Sequence, residues 1–179
     1  FRTNQGCDVH LHDAAGLADC EDGRAYRVDA TVVDPPATGE GGHVFCTVGD
    51  DDATRQAAAF APTRHFRDHV RALRAGDRLT LCGEVSDGTL KLEKFAVRDL
   101  DRTVLATPVC PDCGRSMESA GRDQGYRCRD CGTTAPGKVE TQVARDLDLG
   151  WYEVPPCARR HVARPLVRGG FDAPTHPER

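Results

Sequence analysis

The sequence has no run of 18 or more apolar residues, so no segment is long and apolar enough to form an ordinary membrane-spanning helix. Its N-terminus lacks the basic, apolar and small-residue order of a secretory signal, and the chain reads as cytoplasmic with no membrane partner. Lysine is almost missing: Lys91, Lys94 and Lys138 are the only three, and the remaining positive charge is arginine. Asp heavily outnumbers Glu, and the net charge is −4. That balance is the composition of a salt-adapted proteome, in which an acidic average keeps the surface hydrated and says little about partners. No set of serine, histidine and acid has the spacing of a catalytic triad, so no catalytic residue is assigned to this chain.

The nine cysteines are an odd number in a chain without a secretion signal, which argues against a disulfide framework and for metal in a reducing compartment. Cys110-Pro111-Asp112-Cys113-Gly114 and Cys128-Arg129-Asp130-Cys131-Gly132 form C-x2-C-x14-C-x2-C. A lone C-x-x-C can be a redox couple, but two in tandem, each followed by glycine, are the pattern of paired zinc knuckles. Four thiolates would close a tetrahedron with no open position, which makes the expected Zn2+ structural. With about thirty residues and little apolar content around it, zinc would supply most of the module's folding free energy. Gly132 to Lys138 matches G-x4-G-K, but Val139 stands where a P-loop needs Ser or Thr, and no buried strand precedes it. Cys7, His10, His12 and Cys20 are a weaker candidate for a second metal; Cys46 and Cys82 read as small buried hydrophobes.

Apolar residues alternate from Ala25 to Val33 at Tyr26, Val28, Ala30 and Val32, a strand that Asp34-Pro35-Pro36 is expected to stop. Further strands are expected at His43 to Val48, Gln56 to Ala61, Arg78 to Val85 and Leu90 to Leu100, the last two joined by an Asp87-Gly88 hairpin turn. Between them Phe66, Val70 and Leu73 predict an amphipathic helix over Arg64 to Ala75, capped by Thr63 and ended at Gly76. Three strands, a helix and two strands is the order of an OB-fold; another small mixed α/β domain is the alternative. The expected fold is therefore mainly β: an OB-fold barrel with one helix, then a four-cysteine zinc ribbon and an Arg-rich C-terminal tail. The expected divisions are 1–23 as the end of an upstream ferredoxin-like domain or linker, 24–105 as the barrel, 106–136 as the ribbon and 137–179 as the basic tail.

From Trp151 to Arg168 the tail carries four Arg against one Glu, an excess of +3 in an acidic chain. Arginine pairs with phosphate and stacks on bases, and Trp151 and Tyr152 offer flat rings to unpaired bases. The bland reading is a tail packed back on the barrel with solvated arginines. The RNA-contacting residues expected are Arg115, Arg122, Tyr126, Arg127 and Arg129 in the ribbon, and Trp151, Tyr152, Arg159, Arg160, His161, Arg164 and Arg168 in the tail.

The barrel, the ribbon and the segments Trp151-Tyr152-Glu153-Val154-Pro155-Pro156, Ala158-Arg159-Arg160-His161 and Arg164-Pro165-Leu166-Val167-Arg168 together resemble the C-terminal half of the archaeal isoleucine-tRNA agmatidine synthetases. Phe1-Arg2-Thr3-Asn4-Gln5-Gly6, which opens the chain without Met, resembles that family's Thr-Asn-Gln-Gly segment, with Cys7 and Val9 as mild departures. The resemblance implies a longer parent ligase that uses ATP and Mg2+ in upstream domains to join agmatine to the wobble cytidine of isoleucine tRNA with a CAU anticodon. This chain would then be its tRNA grip. A free-standing single-stranded nucleic-acid binder, or an acyl-carrying ribbon-and-barrel protein, are the competing readings.

Overall fold

The computed structural model describes residues 7–160 and 162–177. Its strands are β1 (Leu11–Asp13), β2 (Ala25–Thr38), β3 (Val44–Gly49), β4 (Thr54–Ala59), β5 (Arg78–Ser86), β6 (Thr89–Asp99), β7 (Thr103–Ala106), β8 (Glu118–Ser119), β9 (Tyr126–Arg127), β10 (Thr134–Ala135), β11 (Val139–Gln142), β12 (Gly150–Glu153) and β13 (Thr175–His176). The single α-helix among the described residues, α1, is Phe66–Arg71. The chain divides into two compact units, residues 1–101 with 145–179, and residues 102–144. Among the described residues no helix is long and apolar enough to cross a membrane.

In the first unit β2 pairs with β3, β3 with β4, β4 in parallel with β6, β6 with β5, and β5 again with β2. The hydrogen-bonded path thus returns to its start through five strands, with the order expected of an OB-type ring. Alternation puts Val28, Val32, Val44, Val48, Leu79, Leu81, Leu90 and Phe95 inside, all at most 2% exposed. Phe66 and Val70, one turn apart on α1, cover one end of that core, and the Phe66 ring lies 5.4 Å from that of Phe95. At the Asp87-Gly88 turn between β5 and β6 both residues have positive φ, 53° and 72°. This is the twist that a two-residue hairpin requires, and glycine accepts it freely.

Three expectations change. β2 does not stop at Asp34-Pro35-Pro36 but continues to Thr38, because its register with β3 shifts twice, between Val32 and Asp34 and between Asp34 and Ala37. The prolines fall in that irregular stretch, where the ladder asks no N–H of them. The helix is shorter than Arg64 to Ala75. Arg64, at φ 48°, breaks it from the preceding 3-10 turn, and the Asp77 carboxylate takes the Arg74 N–H at 2.8 Å beyond its other end. Thr63 does not cap it; its hydroxyl donates to the Phe60 carbonyl at 2.7 Å.

The tail is part of the sheet. β12 pairs antiparallel with β6, from Gly150 opposite Val97 to Glu153 opposite Lys94, and β13 runs parallel to β12. The second unit has a two-stranded stem, β7 with β11, and a three-stranded sheet in the order β10-β9-β8.

Candidate metal centre and nucleic-acid interface

The ribbon's chemistry begins with two matching turns. The Gly114 N–H donates to the Cys110 carbonyl at 2.9 Å and the Gly132 N–H to the Cys128 carbonyl at 3.0 Å. Both glycines have a φ near 70° (72° and 71°), the left-handed conformation that swings backbone N–H groups toward the sulfurs. Their strands bring the turns together, so the Sγ atoms of Cys110, Cys113, Cys128 and Cys131 all lie within 4.8 Å of one another. Cys113 and Cys128 Sγ are 3.5 Å apart. A zinc tetrahedron with bonds of about 2.3 Å has sulfur–sulfur edges of about 3.8 Å, so the donor set fits.

Electrostatics points the same way. Burial would raise the Cys110 thiol, but backbone N–H groups of Cys113 and Asp112 and the thiols of Cys128 and Cys113 hold it down at about 7. Cys131 is pushed up to about 12, first by Cys113 beside it and then by burial. Four sulfurs this close share negative charge fully only around a cation. Met117 is the one large apolar side chain fully buried in this unit among the described residues, packed with Cys110 and Cys128 beneath Tyr126 and Ala135. So small a core cannot hold thirty residues without metal, and the four cysteines would hold Zn2+ as the unit's structural cofactor. Gly132 of the apparent P-loop belongs to a knuckle. Among the described residues no other group of metal-type side chains converges, so Cys7, His10, His12 and Cys20 do not form a second centre.

The expected RNA contacts separate by environment. In the ribbon, Arg115 pairs with Asp130 at 2.8 Å and Arg129 with Glu118 at 2.6 Å, whereas Arg122 and Arg127 are exposed and make no ion pair among the described residues. Tyr126 is half-buried against the metal site.

The tail aromatics require a correction. Trp151 and Tyr152 are 3% and 4% exposed. The indole N–H of Trp151 donates to Asp172 Oδ1 at 2.8 Å, and Arg98 and Lys94 cover its ring at 5.0 and 5.7 Å. Tyr152 lies between Phe95 and His176, 5.3 and 4.6 Å away, both nearly parallel to it. A base stacks on an open ring face, and these rings have none because β12 is a sheet strand buried on both sides.

The tail arginines are engaged within the unit. Arg159 pairs with buried Glu153, whose other oxygen takes the Leu166 N–H at 3.0 Å. Arg160 donates to Glu84 at 3.0 Å and to the Lys91 carbonyl at 3.1 Å. The Arg164 N–H donates to Asp8 at 2.7 Å, and its guanidinium covers Phe171 at 4.7 Å. Arg168 is exposed. His161 lies outside the described residues, as do Phe1 to Gly6.

One aromatic group has no contiguous signature in the sequence. His43, Phe45 and Phe60 meet edge to face, with His43 and Phe60 5.1 Å apart and Phe45 6.4 Å from each. All three are partly exposed. The signal available was their place at the ends of β3 and β4, which the β3–β4 register brings side by side.

Comparison with known proteins bears on the whole chain. The family model described as the TiaS C-terminal zinc ribbon domain matches residues 107–147. The isoleucine-tRNA 2-agmatinylcytidine synthetase TiaS of Haloquadratum walsbyi is 48% identical over 218 residues, an alignment that takes in 100% of this chain and 47% of that protein. A crystal structure of TiaS in complex with its isoleucine tRNA and ATP superposes with a TM-score of 0.82 at 39% identity, covering 98% of this chain and 41% of that one. A complex of TiaS with the same tRNA, AMPCPP and agmatine gives 0.79 at 36% identity, covering 98% and 40%. The chain therefore spans a little under half the length of the relatives it matches.

Proposed function

We propose, for a chain that belongs to the family of the isoleucine-tRNA 2-agmatinylcytidine synthetases, that it is the tRNA-holding portion of such an enzyme, acting in the cytoplasm. The observation that carries the reading is homology along 98% of the chain to proteins crystallised with isoleucine tRNA, ATP and agmatine. The parent ligase would use ATP to activate the wobble cytidine of isoleucine tRNA and attach agmatine to it. ATP, Mg2+ and the phosphoryl chemistry would belong to the part of the parent that this chain does not span. The free-standing single-strand binder is the weaker reading, since the likeness runs to part of a larger enzyme from end to end.

Within the chain the division of labour follows from the side chains. Zinc fixes the ribbon, and Arg122 and Arg127, exposed and without an ion pair among the described residues, can meet phosphates. Arg159, Arg160 and Arg164, each held by a carboxylate or carbonyl, brace the barrel and reach RNA only through their exposed edges.

The test is binding of the zinc-loaded chain, at stated salt, to isoleucine tRNA with a CAU anticodon and to elongator methionine tRNA with the same anticodon. Preference for the isoleucine tRNA that disappears on chelation is the expected result. No binding of either tRNA by a folded, zinc-loaded sample overturns the reading.

A further inference from the structure

Beside the aromatic group of His43, Phe45 and Phe60, the outer face of β6 and the returning tail enclose a cavity of about 320 Å³, within the size range of small-ligand sites. Phe60 and Pro62 form one wall, Lys91 and Glu93 come from β6, and Ala158 and Arg160 close it from the tail. Glu93 sits where the β5–β6 register shifts, between Leu92 opposite Gly83 and Lys94 opposite Cys82. The bulge takes its side chain out of the strict inward and outward alternation. It is 3% exposed, and its Oε2 is buried without a hydrogen-bond partner among the described residues. A buried carboxylate oxygen left unpaired is destabilising unless something supplies a donor. Burial, only partly offset by Arg160 and the backbone N–H groups of Arg160 and Val162, also raises its pKa.

We propose that this cavity is a one-nucleotide pocket for an unpaired residue of bound RNA, with Glu93 reading a base that presents adjacent N–H donors, as guanine does, and with Phe60 as its stacking wall. The inference deepens the tRNA-holding reading and rests on it. Each wall has a chemical counterpart in a nucleotide. An aromatic ring takes a base face whatever the sequence, Lys91 and the exposed edge of Arg160 meet phosphate, and a carboxylate accepts amino and imino hydrogens, which discriminates among bases. Phe60 is held in place for stacking. Its ring lies against His43 and Phe45, and the Ala61 N–H donates to His43 Nδ1 at 3.0 Å, which fixes the imidazole. The neighbouring hollow around Lys94 lacks these properties, because the chain's own Lys94 and Arg164 already occupy its aromatic wall at Phe171.

The experiment is a titration of the zinc-loaded 179-residue chain with guanosine monophosphate, uridine monophosphate and ribose 5-phosphate, followed by amide chemical shifts. Guanosine monophosphate is expected to move the Phe60, Glu93 and Arg160 amides and to bind at least about fivefold more tightly than ribose 5-phosphate. Glu93→Gln, nearly isosteric, is expected to weaken it about tenfold. Phe60→Leu, at a partly exposed position that should still fold, is expected to weaken both nucleotides several-fold. Equal binding of guanosine monophosphate and ribose 5-phosphate, or an unchanged affinity in a folded Glu93→Gln chain, overturns the proposal. Isoleucine tRNA bound equally by all three chains, with no nucleotide taken up at this face, removes the pocket and leaves the tRNA reading standing. Nucleotide capture here by a chain that binds no tRNA does the reverse.

Discussion

Asp77 and Arg145 form the most deeply buried charged pair among the described residues, their side chains 0% and 3% exposed. The guanidinium meets the carboxylate with two parallel bonds, Nη1 to Oδ1 at 2.8 Å and Nη2 to Oδ2 at 2.7 Å. Asp77 also takes the N–H groups of Arg74 and Asp101, and Arg145 donates to the carbonyls of Ala72 and Asp101. The pair is fully satisfied, so its removal from one side leaves a bare buried charge. Arg145→Met is expected to lower the unfolding free energy of the barrel unit by about 3 kcal/mol, read by urea titration of the fluorescence of Trp151, the only tryptophan. Arg145→Lys keeps the charge but not the fork and should recover only part of that loss. Asp50 gives a pH dependence. Hydrogen bonds from the Leu17 and Ala53 backbone N–H groups hold its carboxyl below the usual 3.8. A carboxyl lowered in the folded state adds stability that is fully present above 3.8 and is lost as pH falls through the lower folded value. The urea midpoint should therefore fall with acid in that window, and more shallowly in Asp50→Asn. None of these three residues was legible as important, because a partner far along the chain, Leu17 for Asp50 and Arg145 for Asp77, completes the environment of each.

Among the elements, the ribbon's stability depends on its metal. Cys128→Ser should bind zinc far more weakly, lose the dispersed amide signals of residues 102–144 and leave Trp151 fluorescence nearly unchanged, since Trp151 sits in the other unit's core. Loss of the barrel transition as well would show that the units do not have separate cores. The ribbon was the most legible element because its ligands come in two local turns, each written in five consecutive residues. The helix was legible in kind and not in extent. Its apolar spacing fixes which face is buried, but its ends are set by Arg64 at positive φ and by Asp77 arriving from beyond it. β12 was misread as a displayed tail because Trp-Tyr beside arginines describes an RNA platform as well as it does a buried strand. Pairing with β6 decides between them.

For the whole molecule, charge sets how RNA binding should respond to salt. The chain is net negative at −4. Arg115, Arg129, Arg159, Arg160 and Arg164 already have acidic partners, whereas Arg122 and Arg127, with Arg102 and Lys138 in the same unit, are exposed and make no ion pair among the described residues. Phosphate contacts by Arg122 and Arg127 should contribute about −2 to the slope of log K against log salt for tRNA, as two released counterions give. Arg122→Ala with Arg127→Ala should flatten it. A slope several times steeper would mean that further cations, such as Lys91, Arg102, Lys138 or the paired arginines, also meet phosphate.

By itself the sequence determined what depends on neighbours in the chain: the zinc knuckles with their glycines, the Asp87-Gly88 turn, the strand alternation and the order of three strands, a helix and two strands. These are properties of φ, ψ and local period, and a short stretch of residues contains all that sets them. Only the tertiary structure decided that the strand path closes on itself, that Trp151 and Tyr152 lie inside, that the tail arginines are held by Glu84, Glu153 and Asp8, and that His43, Phe45 and Phe60 meet beside Glu93. Burial and pairing of charge depend on what long-range strand register sets opposite each side chain, and no local pattern encodes that.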